Sequence, residues 1–329
     1  MQHVDVVIIG GGPAGLSAAI WCKRLGISHL LLEKKEKLGG QLTNIHNKII
    51  DYPGLYANNG QEIQRVFVEH FNDIGCISKL NTNILSINHS EKTVRIQQKD
   101  KVKEIHFKYL ILATGAGQKR LEVPGEKEMM GRGEKYSATV DSYLFKNKVV
   151  AVVGGGDRAF EGAILLADAG AIVYLIHRTK NFKARMQYIE IAAKKDSIKM
   201  MTDHQVTAIY GEKCVTSIDL VNNNEEAFAL RVDAVIVRIG IKPNNELVKD
   251  IVKVDETGLI VTDKVGRTSN SSIYAVGDIC TKPLFSSIAS SVAQGATVAK
   301  HLSSLLTNDH SYTVWRDSSF VSNHSQIRF

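Results

Sequence analysis

The same arrangement of residues occurs twice in this chain: an apolar, β-branched run, a glycine-rich turn and a helical pattern. The first copy spans residues 4–26 with the turn GGGPAG, and the second spans 149–170 with the turn GGGDRA. A glycine ends each helical pattern and a second apolar strand follows, which is the order of a β-α-β nucleotide-binding unit. The first glycines of the two turns, Gly10 and Gly154, are 144 residues apart. This spacing allows one domain to be inserted within another.

The first glycine turn has the residue types that a pyrophosphate needs. Gly10 permits the tight turn, Gly12 removes a side chain that would face phosphate, and Gly15 lets the helix and strand pack closely. Glu33 ends the second strand, where a carboxylate can accept hydrogen bonds from both hydroxyls of a ribose. The strand, the helix and the acid together predict a dinucleotide site. A glycine turn with a purely structural role is the alternative.

The second copy differs where the adenosine ribose would lie. After its second strand the sequence reads HRTKNFKAR (177–185), with no carboxylate in the place of Glu33. A carboxylate would repel a 2′-phosphate, whereas Arg178 and Lys183 could pair with one. The second site is therefore expected to prefer NADPH. A solvated basic surface is the alternative.

Two stretches of alternating sequence separate and follow the glycine turns. Residues 84–87, 93–98 and 104–107 predict an antiparallel meander, and 109–113 predict a further apolar strand. Residues 206–237 predict a second meander.

Composition restricts the setting in which the chain works. The length of 329 residues fits about two domains, and no apolar run approaches the roughly 18 residues of a membrane helix. No segment resembles a signal peptide or a nucleic-acid module. The four cysteines, Cys22, Cys76, Cys214 and Cys280, have neither C-x-x-C nor metal-site spacing. We therefore expect a cytoplasmic protein without a metal site. The net charge of +7 either attracts an acidic partner or reflects lysines that only cover the surface.

Further motifs extend the pattern along the chain: GGQLTNIH at 39–46, ATGAG at 113–117, IGIKPN at 239–244 and AVGD at 275–278. With the glycine turns, they resemble the low-molecular-weight pyridine nucleotide–disulphide oxidoreductases, which include bacterial thioredoxin reductases, over nearly all of residues 1–310. The resemblance implies an α/β fold of two Rossmann-like, three-layer domains. An FAD-binding domain of 1–117 and 246–329, with a C-terminal tail, would contain an inserted NAD(P)H-binding domain of 118–245.

The chain departs from thioredoxin reductases at their redox centre. The segment 131–156 resembles the part of those enzymes that carries Cys-x-x-Cys-Asp, but the cysteine positions are Ser137 and Val140, while Asp141 remains. A hydroxyl and an isopropyl group cannot form a disulfide, so electrons must leave the flavin by another route. Asp141 either donates a proton to a reduced acceptor or to the flavin, or it keeps a structural hydrogen-bonding role.

A second resemblance concerns the C-terminus. Ferredoxin–NADP⁺ reductases of thioredoxin-reductase-like fold also lack the cysteine pair, and they carry an extension whose histidine or aromatic residue covers the flavin in a dimer. His46 falls where these enzymes place a flavin-stacking ring, and His324 lies in the tail. The resemblance implies a homodimer in which both histidines reach the flavin. A surface histidine and a disordered tail are the alternatives.

The resemblance also assigns cofactor contacts. Asp278 would hold the ribityl–phosphate region of FAD, unless it is only a helix N-cap. Cys280 is more typical of inert packing than of a nucleophile. Relatives usually have Arg-Gln where this chain has LFSS (284–287), and a second arginine at Thr179. The expected FAD contacts are Gly10, Gly12, Pro13, Ala14, Gly15, Glu33, Gly40, Gln41, Ala113, Thr114, Gly115, Gly277 and Asp278. The expected NADPH contacts are Gly154, Gly156, Asp157, Arg158, Ala159, His177, Arg178 and Lys183.

Three functions are compatible with these features. The leading hypothesis is an NAD(P)H oxidoreductase that passes electrons from NADPH through FAD to an external acceptor, such as the small acidic carriers ferredoxin and flavodoxin. The second is an oxidase or reductase that acts on a small molecule, a disulfide or dioxygen. The third is a flavin-binding sensor without turnover, but a sensor has no need of the intact second glycine turn.

Overall fold

A computed structural model describes residues 2–45, 48–131, 138 and 141–308. Its strands are β1 Gln2–Ile9, β2 His29–Leu32, β3 Ser78–Lys79, β4 Thr82–Asn88, β5 Thr93–Gln98, β6 Lys101–Leu112, β7 Ala116–Gln118, β8 Val149–Val153, β9 Ile172–His177, β10 Ile198–Thr202, β11 His204–Gly211, β12 Val215–Asn222, β13 Ala227–Arg231, β14 Ala234–Val237, β15 Ile241–Pro243 and β16 Ile273–Ala275. Its α-helices are α1 Pro13–Arg24, α2 Gly60–Asp73, α3 Glu126–Gly131, α4 Asp157–Asp168, α5 Met186–Ala193 and α6 Ile288–Asn308. Short 3-10 helices lie at Gly40–Asn44, Ser142–Phe145, Gly277–Ile279 and Pro283–Phe285.

The chain divides into two compact units, and each contains one glycine turn. Unit 1 consists of residues 1–116 and 243–329, and unit 2 consists of residues 117–242. Strands β7 and β15 pair with each other as a separate two-stranded sheet.

Unit 1 is built on a seven-stranded sheet in the order β3-β2-β1-β6-β5-β4, with β16 paired to β6. Strand β1 lies parallel to both of its neighbours, so that Ile8 pairs with Leu31 of β2 and with Ile111 of β6. The carboxyl ends of β1, β2 and β6 therefore meet at one edge of the sheet. The crevice at this edge is where ligands bind in open α/β sheets.

Alternation along β1 builds the two sides of the core of unit 1. Val6 and Ile8 pack in a cluster with α1 and α6, whereas Val7 and Ile9 pack with side chains of β4, β5 and β6. All four side chains are buried. A parallel strand that is covered on both faces reads as a continuous apolar run, which explains the sequence VVII at residues 6–9.

Unit 2 repeats this layering around a four-stranded parallel sheet in the order β10-β9-β8-β14. Val150 and Val152 of β8 pack with α4 and α5, whereas Ala151 and Val153 pack with the antiparallel strands β11–β13 and with α3. The expected α/β class with two Rossmann-like, three-layer units is thus confirmed.

Two strand predictions need correction. The predicted strands 104–107 and 109–113 belong to one continuous strand, β6, in which residues 101–106 pair antiparallel with β5 and residues 105–112 pair parallel with β1. The predicted second meander also ends early, because β14 leaves it and pairs parallel with β8. Among the described residues, no helix is both long and apolar enough to cross a membrane.

Candidate functional site: two glycine turns at helix N-termini

The first glycine turn connects β1 to α1 at the carboxyl edge of the unit 1 sheet. Gly10 has a φ of +110°, and a Cβ there would overlap the carbonyl oxygen of Ala113, so the position requires glycine. Gly10 N donates to Leu32 O at 2.8 Å, and Ala113 N donates to Ile9 O at 2.8 Å. These bonds hold the ends of β1, β2 and β6 together beneath the turn.

Gly12 leaves open space at the start of the helix. The nearest atom to an added Cβ would be Gly40 Cα at 3.8 Å. Helix α1 begins at the next residue, Pro13, and no side chain caps its N-terminus. Uncapped N–H groups and the positive end of the helix dipole favour an anion. The residues of this turn therefore fit the pyrophosphate of a dinucleotide.

Glu33 makes hydrogen bonds within the protein that sequence reasoning missed. Glu33 is only 8% exposed, and its carboxylate accepts hydrogen bonds from Gly11 N at 2.6 Å and from Lys35 N at 2.8 Å. The carboxylate therefore stabilises the glycine turn, and Glu33 itself directly follows β2. A carboxylate offers about four lone-pair positions, so two bonds leave capacity for the hydroxyls of a ribose.

Gln41 and Asp278 meet in unit 1 although 237 residues separate them in the sequence. Gln41 Nε2 donates to Asp278 Oδ2 at 2.8 Å and to Ala116 O at 3.1 Å. Ser286 Oγ donates to the other carboxylate oxygen of Asp278. Two neighbouring side chains thus fix the orientation of the Asp278 carboxylate.

The segment that carries Asp278 lies against the start of α1. A Cβ added to Gly277 would be 3.1 Å from Ala14 Cβ, and Gly277 N donates to Gln294 Oε1 at 2.6 Å. Nearby, Thr114 Oγ1 donates to Asn244 O and Asn244 Nδ2 donates to Thr114 O, both at 2.8 Å. Sequence reasoning did not assign Gln294 or Asn244 to the site, because their partners are distant in the chain.

The second glycine turn repeats the first in unit 2. Gly154 has a φ of +151°, and a Cβ there would overlap the carbonyl oxygen of Arg238. A Cβ on Gly156 would meet no atom within 4 Å. Helix α4 begins at Asp157 without a side-chain cap, and Ala159 is buried in its first turn. This turn therefore also fits a pyrophosphate.

The basic residues of unit 2 lie on a segment that folds back onto its glycine turn. Lys183 N donates to Gly155 O at 2.7 Å, while the side chains of Lys183 and Arg178 are exposed. The His177 ring stacks on Phe182 with 5.5 Å between centroids. Burial lowers the pKa of His177, and the charges of Arg178 and Lys183 lower it further. The surroundings of His177 are thus positively charged.

Asp157 is held by a residue that sequence reasoning missed. Its carboxylate accepts hydrogen bonds from the backbone N and from Nε of Arg185, both at 2.8 Å. The Arg185 guanidinium also lies 4.9 Å from the centroid of the Tyr188 ring. The sequence contained the arginine but gave no indication that it pairs with the first residue of α4.

The structure describes only part of the predicted catalytic set. Asp141 directly precedes the 3-10 helix Ser142–Phe145, and its carbonyl oxygen accepts from Leu144 N at 2.9 Å. His46 and His324, the other two predicted catalytic residues, lie outside the described residues, as do Ser137 and Val140 at the lost cysteine positions.

The four cysteines are free thiols. Burial raises the pKa of Cys22 to about 12 and the pKa values of Cys76 and Cys280 to about 11. Because a raised pKa favours the neutral thiol, a thiolate appears only as the pH rises towards these values. Cys280 therefore remains a neutral thiol at pH 7. Within the described part of the chain, no group of His, Cys, Asp and Glu is suited to hold a metal ion.

Comparison with known proteins places this architecture in a family. A family model described as pyridine nucleotide-disulphide oxidoreductase matches residues 4–295. The thioredoxin reductase of Helicobacter pylori is 34% identical over 284 residues, which cover 84% of this chain and 90% of that protein. The 34.2 kDa protein in the rubredoxin operon of Clostridium pasteurianum is 31% identical over 299 residues, covering 91% of this chain and 96% of that protein. A crystal structure of Lactococcus lactis thioredoxin reductase has a TM-score of 0.77 at 32% identity, covering 93% of this chain and 99% of that chain.

The match extends over both glycine turns and the strands that carry them. Enzymes of this family use FAD and NADPH, and the open space at Gly12 and Gly156 fits two dinucleotides. The chain therefore belongs to the pyridine nucleotide-disulphide oxidoreductase family and is a thioredoxin-reductase-like flavoprotein oxidoreductase with FAD and NADPH as its cofactors.

Proposed function

We propose that this oxidoreductase passes electrons from NADPH through FAD to an external one-electron carrier, ferredoxin or flavodoxin. Bound FAD supplies the conversion between two-electron and one-electron chemistry, since NADPH gives a hydride and each carrier molecule takes one electron. Two carrier molecules are therefore reduced for each NADPH oxidised, and one proton is released.

The observation that carries the proposal is the loss of the family's dithiol. Ser137 and Val140 stand at its two cysteine positions. The raised pKa values of Cys22, Cys76 and Cys280 make these thiols poor substitutes. The net charge of +7 suits an acidic carrier. A related protein from Clostridium pasteurianum is named for its place in a rubredoxin operon. This name supports a redox protein as the acceptor.

The proposal assigns FAD to unit 1 and NADPH to unit 2. In unit 1, the turn at Gly12 would hold the pyrophosphate and Glu33 the adenosine ribose, and Asp278 would hold the ribityl–phosphate region. In unit 2, the turn at Gly156 would hold the pyrophosphate of NADPH. Arg178 would bind its 2′-phosphate together with Lys183.

The acceptor is tested by anaerobic stopped-flow measurement. NADPH should bleach the flavin absorbance, and ferredoxin or flavodoxin should restore it faster than thioredoxin, a small disulfide or dioxygen. The rate with the acidic carrier should fall as ionic strength rises, because salt screens attraction between exposed charges. Replacing all four cysteines by alanine should leave the transfer unchanged. Faster reoxidation by a small disulfide or by dioxygen would favour the second function instead.

The C-terminal tail is part of the same proposal. We propose a homodimer in which His46 and His324 cover the flavin, with Asp141 as a proton donor beside it. The acceptor measurements, repeated on a chain that ends at His310, should show retained FAD, a shifted absorbance spectrum and faster reaction with dioxygen. An unchanged spectrum with unchanged rates would contradict the proposed cover.

Replacing Arg178 by alanine should weaken NADPH binding by roughly tenfold or more and leave NADH binding unchanged, because the charge-assisted bond to the 2′-phosphate is lost. Arg231→Ala is the matched control, since Arg231 is also an exposed arginine of unit 2. Thr179→Arg should strengthen the preference for NADPH. Dissociation constants from titration calorimetry measure all three. An equal effect of Arg178→Ala on both nucleotides would remove the 2′-phosphate assignment.

A further inference from the structure

Two arginines flank the second glycine turn. Arg158 is the second residue of α4, two residues after Gly156. Arg238 is the first residue after β14, where its N donates to Val153 O at 2.7 Å and its carbonyl oxygen lies against Gly154. The glycine turn therefore has one arginine on its helix and another on the neighbouring strand end.

The first glycine turn shows that this fold does not itself require either arginine. The carbonyl oxygen of Ala113 lies against Gly10 in the first turn, and the carbonyl oxygen of Arg238 lies against Gly154 in the second. In the aligned turns GGGPAG and GGGDRA, Ala14 occupies the position of Arg158. Two small apolar residues thus serve the same backbone geometry in unit 1. The arginines of unit 2 call for a reason beyond the turn itself.

The two guanidinium groups lie close enough to influence each other. Burial lowers the pKa of Arg238, and the charge of Arg158 lowers it further. Arg238 Nη1 donates to Val237 O at 2.9 Å, which uses only one of its five N–H donors. Within the described part of the chain, neither arginine has an ion pair, and the carboxylate nearest in sequence to Arg158, that of Asp157, is held by Arg185. Neighbouring positive charges repel each other, and an anion between them would relieve that repulsion.

We propose that Arg158 and Arg238 form a clamp on the diphosphate bridge of the nicotinamide dinucleotide at the Gly154–Gly156 turn. The inference rests on the assignment of NADPH to unit 2. Arg178 and Lys183 serve the 2′-phosphate, which only NADPH carries, whereas the diphosphate is common to NADPH and NADH. The clamp therefore raises affinity for both nucleotides without selecting between them.

Binding to the oxidised holoenzyme tests the clamp without turnover. The ligands for titration calorimetry are NADP⁺, NAD⁺ and adenosine 2′-monophosphate, which carries the 2′-phosphate but no diphosphate. Arg158→Ala and Arg238→Ala reproduce the residues of the first turn, so the fold has a precedent for them. Each variant should weaken the binding of NADP⁺ and of NAD⁺ by a similar factor, about tenfold for the loss of one charge-assisted phosphate contact. Each should leave binding of adenosine 2′-monophosphate unchanged.

Arg178→Ala should give the opposite pattern. It should weaken the binding of NADP⁺ and of adenosine 2′-monophosphate and leave the binding of NAD⁺ unchanged. Arg231→Ala removes the same charge from another exposed site and should change none of the three. Inorganic pyrophosphate should compete with NADP⁺ on the wild type and lose that ability in Arg238→Ala. Unchanged NADP⁺ affinity in both clamp variants would overturn the clamp alone. A wild-type protein that binds neither NADP⁺ nor NAD⁺ would overturn the NADPH assignment and the clamp with it.

Discussion

Replacing Gly12 by valine should abolish FAD retention, whereas replacing Gly156 by valine should leave the protein yellow and abolish its reduction by NADPH. Both glycines have extended backbone that any residue adopts, with φ of −78° at Gly12 and −103° at Gly156. The protein itself leaves room for a side chain at each position. The valine should therefore collide with the phosphates of the cofactor and not with the fold.

Gly15→Val is the contrasting control. A Cβ at Gly15 would overlap Gly10 O, so this change should lower the melting temperature as well as the FAD content. Gly12→Val should lower the FAD content without lowering the melting temperature of the apoprotein. Flavin absorbance per chain, the melting temperature of the apoprotein and stopped-flow reduction by NADPH measure these outcomes. Stoichiometric FAD in Gly12→Val protein would disprove the placement of the pyrophosphate.

Thioredoxin should not stimulate NADPH oxidation by this protein above the rate without thioredoxin. Thiol–disulfide exchange requires a thiolate to attack a disulfide sulfur and a second thiol to resolve the mixed disulfide. Ser137 and Val140 supply neither sulfur. Burial keeps Cys22, Cys76 and Cys280 almost wholly protonated near pH 7.

The rate of NADPH consumption at saturating thioredoxin measures this prediction, with a relative that keeps its Cys-x-x-Cys as the positive control. The Ser137→Cys, Val140→Cys double variant should gain a reducible disulfide, seen as two additional titratable thiols after reduction by NADPH. Either single variant should not form that disulfide. Thioredoxin-dependent turnover by the wild type would show that another thiol pair acts as a relay.

The elements that the sequence predicted well are local ones. Gly10 and Gly154 have positive φ, which glycine adopts without strain, and the β-branched runs before them are parallel strands that are buried on both faces. The loss of the cysteine pair at Ser137 and Val140 is likewise visible without a structure, since it depends only on which atoms the side chains contain. The cofactor residues at these turns remain predictions that the proposed variants test.

The strand errors have a physical origin. Lys108 interrupts the apolar pattern within β6, and a single polar residue was sufficient to divide one predicted strand into two. Ala234–Val237 follows a meander in the sequence, but its apolar side chains complete the parallel sheet beside β8. Periodicity indicates that a segment is a strand, but its partner is decided by which surface can bury its side chains.

What the sequence determined by itself about this protein is the pair of strand–turn–helix units, because glycine geometry and apolar periodicity are properties of neighbouring residues. Only the tertiary structure decided which distant side chains converge on those units. Gln41 meets Asp278, and Arg158 comes close to Arg238, because parallel strands bring their carboxyl ends to one edge of a sheet. Residues that follow different strands become neighbours there regardless of their separation along the chain.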